Sequence, residues 1–561
     1  MKMTGGQALV AQLMREGVRH VFGIPGVQLD WAVEALRQHR DEIAFIVPRH
    51  EQAASYMADG YARSTGREGV SMVVPGPGVL NALSGLATAY ACSSRTLFIA
   101  GQVPSPMLGR HYGMLHEIRG QSEILEKLTK WHAIALRTQE IAEIVHEAFH
   151  QLRSGLARPV AIEIPPDVLQ QATDAALLAR APVRTEMPTD EAVQNALELL
   201  RTARFPVIQV GGGAAAAESS EPLAQLAERL QAPVVMTEGA RGLLPSRHPL
   251  ALTGLGGRAV FPHADVILAV GTRFLDAQAK PVHDDPTCRY VYVNLDRDHT
   301  GAPRRPGIAV IADARATLER LAAALADMPP RPSRAESVAA VKAWCAVQLC
   351  AIQPQSAYVE AIRRAAREDV IVVSELTQVG YFANVAFPVN GPRTYLTPGY
   401  QGTLGYGLPT ALGAAVGNPA RRVISINGDG GFGWNMQELL TAVRYGLHVT
   451  VLVFADGRYG NVRRIQRRVF GEEFATEVAN PDFAKLAAAF GVAFRSIDSP
   501  AALHDVLSAS AGESGPMLIE VKVGEMASPW SVIHPFVPAP IPPPPNPLGS
   551  PPQRREPPPH S

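Results

Sequence analysis

Cysteine is scarce: Cys92, Cys288, Cys345 and Cys350 are all that a chain of 561 residues holds. None shows the paired spacing of a zinc site, and a disulfide framework in a chain this long would need more. A reducing, cytoplasmic setting is therefore expected. Net charge is missing as well, with Lys plus Arg and Asp plus Glu at 52 each. Such a balance offers no long-range field to gather nucleic acid or an anionic membrane, and neither partner is expected. No apolar run reaches the roughly 18 residues that a membrane span needs. The first residues, with Arg15 and Glu16 soon after, read as an amphipathic helix opened by Thr4 rather than as a signal peptide.

Apolar residues make up 47% and charged residues 19%, as in a well-packed globular protein, and the length suits two to four domains. Short β-rich apolar runs alternate with helical stretches, the pattern of parallel α/β domains. The fold class expected is α/β, with three parallel-sheet domains over residues 1–175, 190–330 and 355–535. Strand candidates include His20–Phe22, Ile43–Val47, Gly69–Val74 and Thr96–Ile99 in the first block, and Pro206–Val210 and Asp265–Val270 in the second. Arg422–Ile426 and Val449–Phe454 belong to the third. Pro329–Pro332 and Arg180–Thr189 read as linkers. Residues 535–561 hold 13 prolines in 27 positions, so 536–561 is expected to be a Pro-rich tail, disordered or polyproline-like and solvated.

The strongest motif is Asn427-Gly428-Asp429-Gly430-Gly431, directly after a strand. A helical pattern follows over Asn435–Tyr445, and a second strand then ends in Ala455-Asp456-Gly457. Both acidic turns fall at carboxyl ends of strands, the edge where open parallel sheets bind ligands. Glycines let the backbone approach a diphosphate, and the next helix's amino terminus favours its charge. Asp429 offers a hard oxygen to Mg²⁺, and Asp456, one helix and one strand later, offers a second.

This segment resembles the thiamine-diphosphate motif of the acetohydroxyacid synthase and pyruvate decarboxylase superfamily, with Ala455-Asp456 where that family usually has two asparagines. The resemblance implies thiamine diphosphate and Mg²⁺ as cofactors. It assigns Asp429, Asp456 and the backbone carbonyl of Arg458 to the metal, and places Gly428, Gly430, Gly431, Tyr459 and Gly460 beside the cofactor. The string from Pro48 to Arg63, containing His50-Glu51-Gln52-Ala53-Ala54, is similar to the family's glutamate signature. By that match Glu51 exchanges protons with the cofactor's aminopyrimidine ring, which calls for a partly desolvated carboxyl. Val21–Gly26, which contains Pro25 and Gly26, resembles the family's first strand-turn, and Pro75–Asn81 its glycine-rich loop, ending in Asn81. Thr397–Pro409 resembles the stretch that bends the cofactor into a V. By that match the Gly402 carbonyl would accept from the 4′-amino group and Leu404 would wedge between the rings. The first block would be the pyrimidine domain and the third the diphosphate domain. Since the family's site lies between subunits, a homodimer or homotetramer is implied.

Val210-Gly-Gly-Gly213 lacks the full dinucleotide fingerprint, so the central block is expected to be Rossmann-like and structural, with FAD possible but not favoured. The resemblance covers about residues 5–530 and is specific to the cofactor. Positions facing the substrate depart from the synthases: a tryptophan becomes Ile465, a methionine becomes Asn461, and Gln378 stands in a string that has lost its histidine. His116 reads either as a proton donor and acceptor or as structural. Arg463 and Arg464 read either as a carboxylate clamp or, with Arg467 and Arg468, as a solvated helical face. The function expected is carbon–carbon bond formation or cleavage on a 2-oxo acid by an acetolactate-synthase-like paralogue. The alternatives are a flavin-dependent enzyme of the pyruvate oxidase type and a non-catalytic cofactor-binding paralogue.

Overall fold

The computed structural model describes residues 2–554. Three six-stranded sheets, parallel at every pairing, carry the chain. The first holds His20–Gly23, Ala44–Ile46, Gly69–Val73, Thr96–Gly101, His132–Ile134 and Val160–Ile164. The third holds Ile371–Ser374, Tyr395–Leu396, Val423–Gly428, Val449–Ala455, Ala493–Ile497 and Met517–Lys522. Counting strands along the chain, both sheets run 2-1-3-4-6-5 across. The central sheet, from Pro206–Val210 to Ile308–Ile311, runs 3-2-1-4-5-6, the Rossmann order. There Gly211 and Gly213 pack on the turn after the fourth strand. The Gly213 amide donates to the Gly271 carbonyl at 2.9 Å, and a β-carbon on Gly211 would lie 2.4 Å from that same oxygen.

The amino-terminal helix runs Gly5–Glu16 with Thr4 as its cap: Gln7 N donates to Thr4 Oγ1, and Thr4 N to Gln7 Oε1, a capping box. The first and third sheets are joined by two helices, Glu51–Thr65 and Gly407–Gly417, which share one core with residues of both sheets. Their backbones nearly touch. A β-carbon on Gly60 would meet the Thr410 carbonyl at 2.1 Å, and one on Gly413 the Met57 carbonyl at 2.0 Å. Glycine at both crossings is what lets the two blocks close together.

Two expectations change. The helix after the acidic motif begins at Asp429 itself. It runs Asp429–Asn435, breaks in a 3₁₀ turn at Met436–Glu438, and resumes over Leu439–Arg444. Among the described residues the proline-rich tail has neither helix nor strand beyond Trp530–Ile533 and is mostly exposed, but it also docks on the body at a few points. Trp344 Nε1 donates to the Pro544 carbonyl at 2.8 Å, Asn546 Nδ2 to the Ala259 carbonyl at 3.0 Å, and Leu548 packs on the central core. An indole N–H bonding a carbonyl in a proline run is the way aromatic grooves hold polyproline segments. The last seven residues, 555–561, lie outside the described residues. Among the described residues no single helix is long and apolar enough to cross a membrane.

Candidate active site

The carboxyl edge of the third sheet gathers the acidic motif. Asp429 opens its helix and is 3% exposed. Its Oδ2 accepts from Gly457 N and from Asn480 Nδ2, both at 2.7 Å, while Oδ1 accepts from Gly430 N at 2.9 Å. Asp456 faces the same turn, and Arg458 N donates to its Oδ1 at 3.0 Å. Burial first, and the Asp429 charge second, push the Asp456 carboxyl up to about 6. A buried carboxylate acting on a half-buried one favours a cation at this turn, so the donor chemistry fits Mg²⁺.

Gly428, Gly430 and Gly431 are glycine because the turn is crowded. A β-carbon would lie 3.1 Å from Thr377 Oγ1 at Gly428, 2.7 Å from the Tyr459 ring at Gly430, and 2.2 Å from Glu375 Oε1 at Gly431. Gly402 adopts φ +58°, and Leu404 two residues on stays 36% exposed. An uncovered leucine on this edge suits a wedge between two rings. At Gly460 a β-carbon would sit 3.2 Å from Asp456 Oδ2.

The carboxyl edge of the first sheet places Glu51 as the first residue of Glu51–Thr65, where Asn81 Nδ2 donates to its Oε2 at 3.0 Å. The turn before it is fixed from the third block. Arg49 N donates to the buried Glu438, at 3.0 and 3.1 Å to its two oxygens, and burial raises that carboxyl to about 7. Gly26 packs on Val74, with Pro25 exposed beside it. His116 has φ +66°, its carbonyl lies where a β-carbon on Gly76 would be, and its Nδ1 is buried without a partner among the described residues. Within one chain Glu51 bonds Asn81 and no group of the third block among the described residues.

The substrate candidates separate. Gln378 Oε1 accepts from Arg464 Nη2 at 2.7 Å, and Asn461 Oδ1 accepts from Trp530 Nε1 at 3.0 Å. These three candidates therefore meet under the segment 525–534. Arg463 turns elsewhere and bonds Glu473 at 2.5 Å. Ile465 stays 45% exposed on Gly460–Phe470.

Sequence reasoning missed Glu375, Asn480, Glu438 and Trp530. Glu375 is fully buried: Gly405 N donates to its Oε1 at 2.7 Å, its Oε2 has no partner among the described residues, and burial pushes it up to about 8. An acid ending the run Ile371–Ser374 was the available signal. Asn480 and Trp530 lie in loops whose sequence has no period.

Two cofactor-type edges on twin parallel sheets, with a Rossmann-order domain between, define an enzyme that holds a diphosphate cofactor. The chain belongs to the thiamine pyrophosphate enzyme family. The family's N-terminal TPP binding domain matches residues 3–124, its central domain 193–321 and its C-terminal TPP binding domain 376–521. Among its relatives is a probable 2-ketoarginine decarboxylase of Pseudomonas aeruginosa, 37% identical over 93% of this chain and 94% of that protein. An acetolactate synthase of Arthrospira platensis is 33% identical over 93% and 94%. The acetolactate synthase isozyme 1 large subunit of Escherichia coli is 31% identical over 96% of each. The chain is thus a thiamine-diphosphate-dependent, acetolactate-synthase-like enzyme.

Proposed function

We propose that this enzyme removes the carboxylate of a 2-oxo acid and then releases the remaining acyl carbon or joins it to a second carbonyl compound. The observation that carries the reading is the buried Asp429 with the half-buried Asp456 on the same edge as the exposed Leu404. Thiamine diphosphate, when bound, supplies the nucleophilic carbon and the electron sink. Asp429, Asp456 and the Arg458 carbonyl would hold Mg²⁺. The amide-rich turn Gly428–Gly431, with Tyr459 and Gly460, would hold the diphosphate, and Gly402 and Leu404 would set the angle between the rings. Glu51, kept in place by Asn81, would exchange a proton with the aminopyrimidine. His116 would pass protons to or from substrate, which accounts for its left-handed backbone and bare Nδ1.

In this reading Glu51 serves the Asp429 turn of a second copy, giving a homodimer or a homotetramer. The large apolar side chains left in the open on both edges, Val27, Leu80, Leu115 and Trp434 among them, support it. The four thiols are free, which suits a reducing cytoplasm.

A panel of 2-oxo acids supplied with thiamine diphosphate and Mg²⁺, scored for CO₂ and for coupled product by mass spectrometry, tests the proposal. CO₂ from at least one acid, dependent on both cofactors, is the expected result. Cofactor binding with no CO₂ from any acid would overturn it.

A further inference from the structure

The helix Gly460–Phe470 carries Arg463, Arg464, Arg467 and Arg468, with Arg458 just before it. Arg463 and Arg467 are one turn apart and share a face. Both bind Glu473, at 2.5 and 2.8 Å, and both reach Glu525, at 3.4 and 3.3 Å. Arg458 bonds Glu477 at 3.0 Å and Glu473 at 3.4 Å, while Arg468 is exposed. Every carboxylate in this cluster is therefore already taken.

Arg464 points about 100° around the helix from Arg463; its hydrogen bonds go only to neutral groups, and Glu525 acts on it from beyond contact distance. Its Nη2 donates to Gln378 Oε1 at 2.7 Å and lies 3.4 Å from the Met526 carbonyl. Its Nη1 is buried and has no partner among the described residues. A guanidinium stays charged, and a part-buried cation with no carboxylate in direct contact costs free energy. Its surroundings place it at the reacting edge. Gln378 Nε2 lies 3.1 Å, and Asp456 Oδ2 3.2 Å, from the point where a β-carbon on Gly460 would sit. Beside it Trp530 closes the wall, its ring 4.6 Å from that of Tyr381 and its N–H spent on Asn461.

We infer that Arg464 is a specificity-determining residue and that the missing partner of its Nη1 is an acidic group at the far end of the substrate's side chain. The enzyme would thus take a 2-oxo dicarboxylate. This rests on the decarboxylating function proposed above. The 2-oxo acid's own carboxylate is the poorer candidate. That group leaves as CO₂, and a cation fixed on it would stabilise the ground state against its loss. The cofactor's diphosphate is an anion too, but the Gly428–Gly431 amides and a metal held by Asp429 and Asp456 would answer its charge.

The test compares kcat/KM of the cofactor-loaded enzyme for 2-oxoglutarate, pyruvate and 5-guanidino-2-oxopentanoate across wild type, Arg464→Lys, Arg464→Gln and Arg464→Glu. Wild type should favour 2-oxoglutarate. The ratio of 2-oxoglutarate to pyruvate should fall roughly 10²-fold in Arg464→Gln, recover in part in Arg464→Lys, and give way to the guanidino acid in Arg464→Glu. An equal fall for all three acids would overturn the inference, because Arg464 would then be holding the reacting carboxylate or the 525–534 segment. Weaker thiamine diphosphate binding to Arg464→Gln by calorimetry would reassign the anion to the cofactor. Unchanged ratios would remove any role in selection. Should wild type release CO₂ only from other acids, this inference fails while the decarboxylase reading stands; with no CO₂ from any acid, both fail.

Discussion

The carboxylate of Glu375 occupies the space that a side chain on Gly431 would need: a β-carbon there would stand 2.2 Å from Oε1 and 2.4 Å from Oε2. Glu375 also accepts from Gly405 N. One buried acid thereby ties the loop that carries Leu404 to the turn that carries Asp429. Gly431→Ala should push the two apart. Overpacking of this kind costs about 1–3 kcal/mol, so a lower melting temperature and weaker thiamine diphosphate binding by calorimetry are expected. Adding Glu375→Ala should restore part of the melting temperature, and a double variant no better than the single would remove the clash as the cause.

Glu375 also makes stability depend on pH. Burial raises its carboxyl from the ordinary 4.5 to about 8, against the pull of the Gly405 and Tyr406 amides. The folded-state value lies above the unfolded one, so the stability this group contributes is full below about pH 4.5 and is lost as pH rises through 8. Glutamine cannot ionise. The cofactor-free Glu375→Gln variant should therefore gain on wild type by on the order of 1.4 kcal/mol per pH unit across that window. Denaturant melts of both proteins at pH 5, 6.5 and 8 check this, and a constant difference would show that the acid is already ionised.

The parts of the site legible in the sequence share a backbone cause. Gly428–Gly431, Gly402 and the Glu51 turn are read easily because a close approach or a strand-to-helix turn admits few residue types. The parts that escaped depend on distance along the chain. Asn480 reaches Asp429 across 51 positions and Trp530 reaches Asn461 across 69, and no local pattern marks either. Strands were missed for a related reason. His132–Ile134 and Ala493–Ile497 are edge strands, part exposed and without a buried run, and Tyr395–Leu396 is two residues long. The tail's composition shows only that proline cannot build a core. It does not show that Trp344 and Ala259 offer polar partners to a polyproline segment.

That docking gives the tail a measurable weight. Truncation after residue 539 removes the Trp344–Pro544 and Asn546–Ala259 hydrogen bonds and uncovers the surface under Leu548. Net values near 1 kcal/mol per hydrogen bond, plus the apolar area lost, put the destabilisation at about 2–4 kcal/mol. Trp344→Phe, which keeps a ring and loses the donor, should cost about 1 kcal/mol of that. Urea melts of the full chain and both variants measure it. Coincident curves would mean that the tail leaves this surface in solution.

Glu51→Gln tests the proton relay itself. The substitution keeps the shape of the side chain, and its amide oxygen still accepts from Asn81 Nδ2, so the helix Glu51–Thr65 and its edge should be undisturbed. Thiamine diphosphate and Mg²⁺ should bind as in wild type, because the groups proposed to hold the metal and diphosphate lie around Asp429, Asp456 and Gly428–Gly431. Only the exchangeable carboxyl proton is gone. General acid–base help of this kind is typically about 10²–10⁴-fold, and both turnover and exchange of the bound cofactor's thiazolium proton with deuterated water should slow by that order. Proton exchange read by NMR separates the relay from later steps. If the variant exchanges at the wild-type rate with cofactor fully bound, Glu51 does not move that proton. If it fails to bind cofactor at all, Glu51 is a binding group and the relay must be sought elsewhere on the first sheet's edge, with His116 the next residue to replace.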